Sequence, residues 1–305
     1  MKAVDLFAGF GGLTEGAEQA GIDVLWAANH WQIAVDAHAL NHPNATHVCQ
    51  DLQQANWLEL PDYDLLLAAP ACQPHSNASQ PGRGAKRHDE LRQTPIAVID
   101  CVDATEPKYI LIENVPQFKK WRLYGWFLDG LRKLGYRLEE HVLTASHFGV
   151  PQRRTRLFIV AARDGLKMPN MKFDTRPEPG FGDFIDWNEG VWRHVDEAGP
   201  RAQARIARSR ERQGVDRFLT QHTRDHYGLT LDQPIRTVTT KDQWAIVDGD
   251  RYRPLTVRET ARAMGFPEHY DWPSHATRRD CITGFGNAVA PPVAKALATR
   301  IAEAA

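Results

Sequence analysis

The chain has 305 residues, 42% apolar and 25% charged, a balance that fits one large globular domain or one domain with a smaller companion. Its formal net charge of −1 excludes a general basic coat, so any nucleic-acid contact must come from a local patch. No run approaches the roughly 20 apolar residues of a membrane span, and Met1 leads straight into a strand pattern, so neither a membrane segment nor a signal peptide is expected.

Cys49, Cys72, Cys101 and Cys281 are scattered and form no C-x-x-C pair. That pattern argues against a disulfide framework or a zinc site and for a reducing cytosol.

The first strand is predicted over residues 4–7, followed by the glycine-rich turn Ala8-Gly9-Phe10-Gly11-Gly12 and a helix from Leu13 that Gly21 closes. Such a turn lets backbone approach a ligand closely. Its spacing is not G-x-G-x-x-G and no Walker lysine follows, which disfavours a nicotinamide or nucleoside-triphosphate site. A second strand over 22–28 ends at Asn29-His30-Trp31, and a helix is predicted over 33–40. His30 stands where nucleoside-binding sheets usually place a ribose-binding carboxylate, and its ring can still hydrogen-bond a hydroxyl. Trp31 suits either an adenine face or a half-buried rim, and Asp51 either an adenine amine or the cap of a turn at Leu52.

Residues 65–68 (Leu-Leu-Leu-Ala) read as a buried strand of a parallel sheet, and Ala69-Pro70-Ala71-Cys72-Gln73-Pro74-His75-Ser76 follows. Alone, Cys72 is either a small buried hydrophobe or a thiol carried past the carboxyl end of a strand, where open sheets keep their sites. A further strand over 108–112 runs into Glu113-Asn114-Val115-Pro116, and Gln152-Arg153-Arg154-Thr155-Arg156 leads into a strand over 157–161. From Arg163 to about Phe266 the α/β alternation lapses. Within it, residues 201–213 read as a basic helix, with arginines at 201, 205, 208, 210 and 212 against Glu211, suited to a DNA backbone or simply to solvent. Residues 234–240 and 244–247 alternate like two strands of a small antiparallel unit. Helices are predicted over 256–264 and about 292–304, the latter opened by Gly286-Asn287-Ala288-Val289-Ala290-Pro291-Pro292.

In this order the stretches resemble the cytosine-5 DNA methyltransferase family over nearly the whole chain. DLFAGFGG is similar to its cofactor motif, PACQ to its nucleophile motif, ENV to its acid motif and QRRTR to its arginine motif. RPLTVRETARAMGFPEHY resembles its ninth motif and GNAVAPPVA its last. Three positions depart from the family: Ala71 replaces a second proline, His75 a phenylalanine and His30 a glutamate.

The resemblance implies an α/β fold. A doubly wound Rossmann-like methyltransferase sheet (residues 1–168 and 280–305) would join a smaller, mostly irregular or β target-recognition domain with its hinge (169–279). It implies S-adenosylmethionine as cofactor, held by Phe7, Gly9, Gly11, Gly12, Leu13, His30, Trp31, Asp51, Leu52, Pro70, Asn287 and Val289. Double-stranded DNA would be the partner, met by Gln73, Ser76, Arg83, Lys86, Arg87, Arg153 and Thr239, with no metal. The catalytic residues would be Cys72, Glu113, Arg154 and Arg156. Cytosine carbon 5 is a poor nucleophile, so a thiolate adding at carbon 6 would activate it, with an acid at ring nitrogen 3. By the same resemblance Asn114 would orient Glu113, Arg156 would grip the cytosine carbonyl, and Arg154 would hold phosphate or the nucleophile loop. The base must leave the duplex to be reached, and residues 76–92 would close over it. The expected setting is the cytoplasm, at the prokaryotic nucleoid, for a monomer whose cognate restriction endonuclease, if present, acts separately. Two alternatives are a transfer-RNA cytosine-5 methyltransferase and an inactive DNA-binding subunit; the presence of Cys72 and Glu113 argues against the second.

Overall fold

The structure, a computed structural model, describes residues 1–70, 94–223 and 227–305. Five strands run parallel: β1 (Lys2–Leu6), β2 (Asp23–Asn29), β3 (Thr46–Cys49), β4 (Leu65–Ala68) and β5 (Tyr109–Asn114). Two more, β6 (Tyr136–Thr144) and β8 (Thr155–Arg163), add antiparallel, and the short β7 (Gln152–Arg153) precedes β8. The seven-stranded order is β3-β2-β1-β4-β5-β8-β6, so the parallel sheet expected from the sequence has an antiparallel edge.

The apolar runs form strands here because both faces are covered. Leu65 and Leu67 of β4 enter a core with α1 (Gly12–Gln19) and the carboxyl-terminal helix. Leu66 and Ala68 enter another with α3 (Thr94–Thr105) and α4 (Tyr124–Lys133), while α2 (Gln32–Asn41) follows β2. The connections leave β1 in one direction through β2 and β3 and return to β4 on its other side. The carboxyl ends of β1 and β4 therefore flank the point where strand order reverses, the place open α/β sheets use for ligands.

A second unit is built on an antiparallel sheet. It contains β9 (Arg193–His194), β10 (Arg217–Gln221), β12 (Trp244–Asp248) and β13 (Arg251–Pro254), ordered β10-β12-β13-β9. Helix α5 (Pro200–Gln213) lies on it through Ile206, which packs with Phe218 and Val247. The expected pairing of 234–240 with 244–247 is not what forms. Only β11 (Ile235–Arg236) is a strand there, and it pairs in parallel with β7. Pro234 brings no donor, and the Val238 amide is taken by the Gln152 side chain at 2.7 Å. Strand β12 pairs instead with β10 and β13.

Helices α6 (Val257–Ala263), α7 (Arg278–Asn287) and α8 (Pro291–Ala304) return the chain to the large sheet. One apolar core spans both units, joining Phe10, Ala34 and Ala37 to Phe181, Leu219, Trp244, Ile246, Tyr270 and Phe285. Inside the second unit, Arg253 and Glu259 form a wholly buried two-pronged ion pair, with both contacts at 2.7 Å. Among the described residues no helix is long and apolar enough to cross a membrane.

Candidate active site

The glycine turn is a run of left-handed backbone. Gly9 and Gly11 sit at φ +57° and +74°, and Phe7, a position where a side chain makes that conformation strained, at +60°. The turn is tied to the sheet by the Ala8 amide donating to the Ala28 carbonyl at 3.0 Å. Gly12 is required for a different reason: a Cβ there would stand 2.0 Å from the Val289 carbonyl oxygen. The last motif is thereby seated on the first.

Beneath the turn lies a buried polar chain. Thr14 Oγ1 donates to Asp5 Oδ2 at 2.8 Å, so Thr14 Oγ1 in turn accepts a hydrogen bond from His38 Nε2 at 3.0 Å. His38 Nδ1 then accepts from His47 Nε2 at 2.8 Å. Burial pushes the Asp5 carboxyl up to about 7, against the pull of Thr14 and His42, and burial holds His38 well below the usual imidazole range. A second chain reaches the turn from the other unit. The Tyr270 hydroxyl donates to the Phe10 carbonyl and lies 3.2 Å from His42 Nε2, while His42 Nδ1 meets Glu18 at 2.7 Å.

Around the turn, the parallel strands bring His30, Trp31, Asp51 and Leu52 to one edge. His30 is exposed just past β2. Trp31 stacks on Phe10, ring centroids 5.9 Å apart, so one of its faces is already covered. Asp51 caps the short turn at buried Leu52 by accepting from the Gln53 amide. Asn287 is exposed at the end of α7, and Val289 is buried against Gly12.

At the neighbouring strands Glu113 is the next-to-last residue of β5, 5% exposed, with its Oε1 3.0 Å from Arg156 Nε on β8. Burial raises the Glu113 carboxyl above its ordinary value, and Arg156, then Arg154, pull it back. Asn114 does not turn toward Glu113, as the sequence suggested. Its amide donates to the Pro70 carbonyl at 3.2 Å, and its oxygen accepts from the Val115 amide. It therefore fixes the exit of β4. Cys72, Gln73, Ser76, Arg83, Lys86 and Arg87 lie outside the described residues.

The arginines divide. Arg156 is at the carboxylate, whereas Arg154 is buried and bonds the carbonyls of Val238, Gly286 and Ala288 at 2.9–3.0 Å. Arg154 thereby ties three chain segments together, and the nucleophile loop it was expected to hold lies outside the described residues. Arg153 is exposed and held two-pronged by Glu178. Thr239 accepts from the Lys241 amide, and its backbone rests on Gly286, where a Cβ would come within 2.4 Å of the Thr239 carbonyl.

A family model described as C-5 cytosine-specific DNA methylase matches residues 1–303. The chain belongs to that family. It is a DNA cytosine-5 methyltransferase. Type II methyltransferase M.NlaX of Neisseria lactamica is 29% identical over 99% of this chain and 96% of its own length. M.MthTI of Methanothermobacter thermautotrophicus is likewise 29% identical, over 99% and 97%. Among solved structures, a mutant of Spodoptera frugiperda DNMT2 shares the fold at TM-score 0.72 and 19% identity, covering 97% of this chain and 98% of that one.

Within this methylase the sequence motifs pointed at Glu113 and the arginines but not at the residues that hold them. Gln152 is wholly buried and donates to the Ala263 carbonyl at 2.8 Å while accepting from Val238. Its place in QRRTR was the available signal. Tyr270 closes the motif RPLTVRETARAMGFPEHY, which was its only signal, and His38, His42 and His47 left none.

Proposed function

We propose that the chain transfers a methyl group from S-adenosylmethionine to carbon 5 of a cytosine flipped out of double-stranded DNA, through a covalent bond between Cys72 and cytosine carbon 6. S-adenosylmethionine would supply an electrophilic methyl group on a sulfonium. The residues fit such a cationic ligand. The left-handed turn bares backbone at the carboxyl end of β1, and beneath it Asp5 Oδ1 is buried with no hydrogen-bond partner among the described residues. Phe7, Gly9, Gly11, Gly12 and Leu13 would hold it, with His30 at the ribose, Trp31, Asp51 and Leu52 at the adenine, and Pro70, Asn287 and Val289 closing the site.

The observation that carries the reading is the buried Glu113–Arg156 pair, one strand from the exit of β4 that Asn114 secures. A carboxyl raised by burial can share its proton with ring nitrogen 3, while Arg156 stays within reach of the neighbouring carbonyl oxygen. Cys72, two residues past Pro70, is the nucleophile by resemblance. Arg154 is a positioning residue in this scheme. Residues 169–279 form the recognition part, with Thr239 and Arg153 toward DNA. The chain works as a cytoplasmic monomer, and any cognate endonuclease acts apart from it.

Tritium transfer from labelled S-adenosylmethionine into duplex DNA, followed by bisulfite sequencing, tests this. Methylated cytosine in one short DNA sequence is expected. Label entering transfer RNA and not duplex DNA, or no label entering either, would overturn it.

A further inference from the structure

The basic helix α5 has no part in the chemistry above. Its inner face packs on the small sheet through Ile206, while Arg201, Ala204, Arg205 and Arg208 turn along a groove of about 770 Å³. The facing wall is His222 and Thr223. Arg205 is only 9% exposed, and its Nε donates to Thr220 Oγ1 at 3.1 Å. Burial lowers its pKa, and neighbouring Arg208 adds to the effect.

Six arginines elsewhere in this unit are neutralised, Arg210 by Asp216, Arg217 and Arg251 by Asp248, Arg253 by Glu259, Arg262 by Glu268 and Arg278 by Asp242, while Arg212 on the same helix lies over the Tyr227 ring. Among the described residues no carboxylate forms an ion pair with Arg201, Arg205 or Arg208. Asp242 lies within electrostatic reach of His222, but its carboxylate is held by Arg278 at 2.7 and 3.1 Å. A nearly buried cation without a counter-charge is costly, and here it borders a groove open to an anion.

The groove also lies at the right end of the unit. The β10–β12 ladder finishes at Gln221 and Trp244, and just beyond it the His222 amide bonds the Gln243 carbonyl at 2.7 Å. From Gln243 the chain runs back to Thr239, no more than about 14 Å even fully extended. Thr239 rests on Gly286, whose carbonyl Arg154 holds. At about 1.5 Å per helical residue, Arg201 and Arg208 are roughly 10 Å apart along the axis, a span of about three nucleotides of one strand.

We propose that this groove clamps the backbone of the DNA substrate, with Arg201, Arg205 and Arg208 on two or three consecutive phosphates and His222 and Thr223 as donors from the opposite wall. The inference rests on the DNA-methylating function above and assigns that function a phosphate subsite away from the reacting base. Because phosphates carry no base identity, the clamp fixes register and affinity and leaves sequence choice to other contacts.

The test measures binding of a labelled duplex against salt concentration, without turnover, for four proteins: wild type, Arg201→Ala/Arg208→Ala, Arg201→Lys/Arg208→Lys and Arg217→Ala. Each lost phosphate contact removes about 0.9 from the slope of log affinity against log salt. The alanine pair should lose about 1.8, equally on methylatable and scrambled duplexes. Its KM for DNA should rise at least tenfold with kcat retained at saturating DNA. The lysine pair should keep the wild-type slope, and circular dichroism of all four should coincide. Arg217, at the far end of β10, should leave the slope unchanged. An unaltered slope in the alanine pair, an equal loss per charge from Arg217→Ala, or a loss seen with a transfer RNA and not with duplex DNA would each overturn the clamp. A wild type that binds DNA with the expected slopes yet transfers no methyl group would instead remove the functional reading and leave the clamp standing.

Discussion

Glu113 and Arg156 face one another at 3.0 Å from adjacent antiparallel strands, with the carboxylate almost wholly removed from solvent. Burial and the guanidinium act on that carboxyl in opposite directions, and burial prevails. The acid therefore keeps its proton to higher pH than a free glutamate does. Glu113→Gln should lower single-turnover methyl transfer by about 10²–10⁴-fold with cofactor binding retained. In Arg156→Lys the delocalised fork is lost, the carboxyl rises further, and the alkaline limb of the pH–rate profile should move to higher pH. Stopped single turnovers across pH read both effects.

Asp5 should make stability depend on pH in an unusual direction. Its carboxyl sits at about 7 in the folded chain against 3.8 when exposed, so the folded state holds a proton the unfolded state has lost. Stability is then full below the unfolded value and falls as pH rises toward 7, at up to about 1.4 kcal/mol per pH unit. Asp5→Asn should flatten the urea midpoint between those two values, while wild type declines.

Tyr270 ties the second unit to the glycine turn. Tyr270→Phe leaves the Phe10 carbonyl and His42 Nε2 without that hydroxyl in a buried setting, a loss of about 1–3 kcal/mol. Titration calorimetry with S-adenosylmethionine should show weaker binding, because the turn that would hold it loses its strut. Affinity unchanged beside a lowered denaturant midpoint would confine Tyr270 to stability.

The Arg253–Glu259 pair is buried on both sides and also takes up the amides of Asp186 and Thr256. Removing one partner strands the other charge, so Glu259→Gln should cost about 3–5 kcal/mol in equilibrium unfolding. Arg253→Met with Glu259→Leu should cost markedly less.

The sheet was legible because its strands carry their instructions locally. Residues 65–68 are apolar on both faces, and the structure buries all four. The final helix and the glycine turn followed from Pro and Gly punctuation in the same way. Side-chain destinations were not legible. Arg154 and Arg156 are two residues apart, a spacing that would put both on one face of an unbroken strand, but Arg154 falls in the break between β7 and β8, and nothing local says which arginine meets the carboxylate. The Tyr270–Phe10 contact joins residues 260 apart, and β11 pairs with β7 because Gln152 claims the Val238 amide. Such choices are made by tertiary packing, which motifs imply only when a family resemblance supplies it.

In the proposed mechanism the Cys72 thiolate attacks cytosine carbon 6. Duplex DNA carrying 5-fluorocytosine at the methylated position traps that bond, because the fluorine at carbon 5 cannot be eliminated after methyl transfer. With S-adenosylmethionine present, wild type should form a denaturation-resistant protein–DNA adduct, mapped by mass spectrometry to Cys72, and Cys72→Ser should form none. An equal adduct from Cys72→Ser, or one mapped to another residue, would rule out Cys72 as the nucleophile.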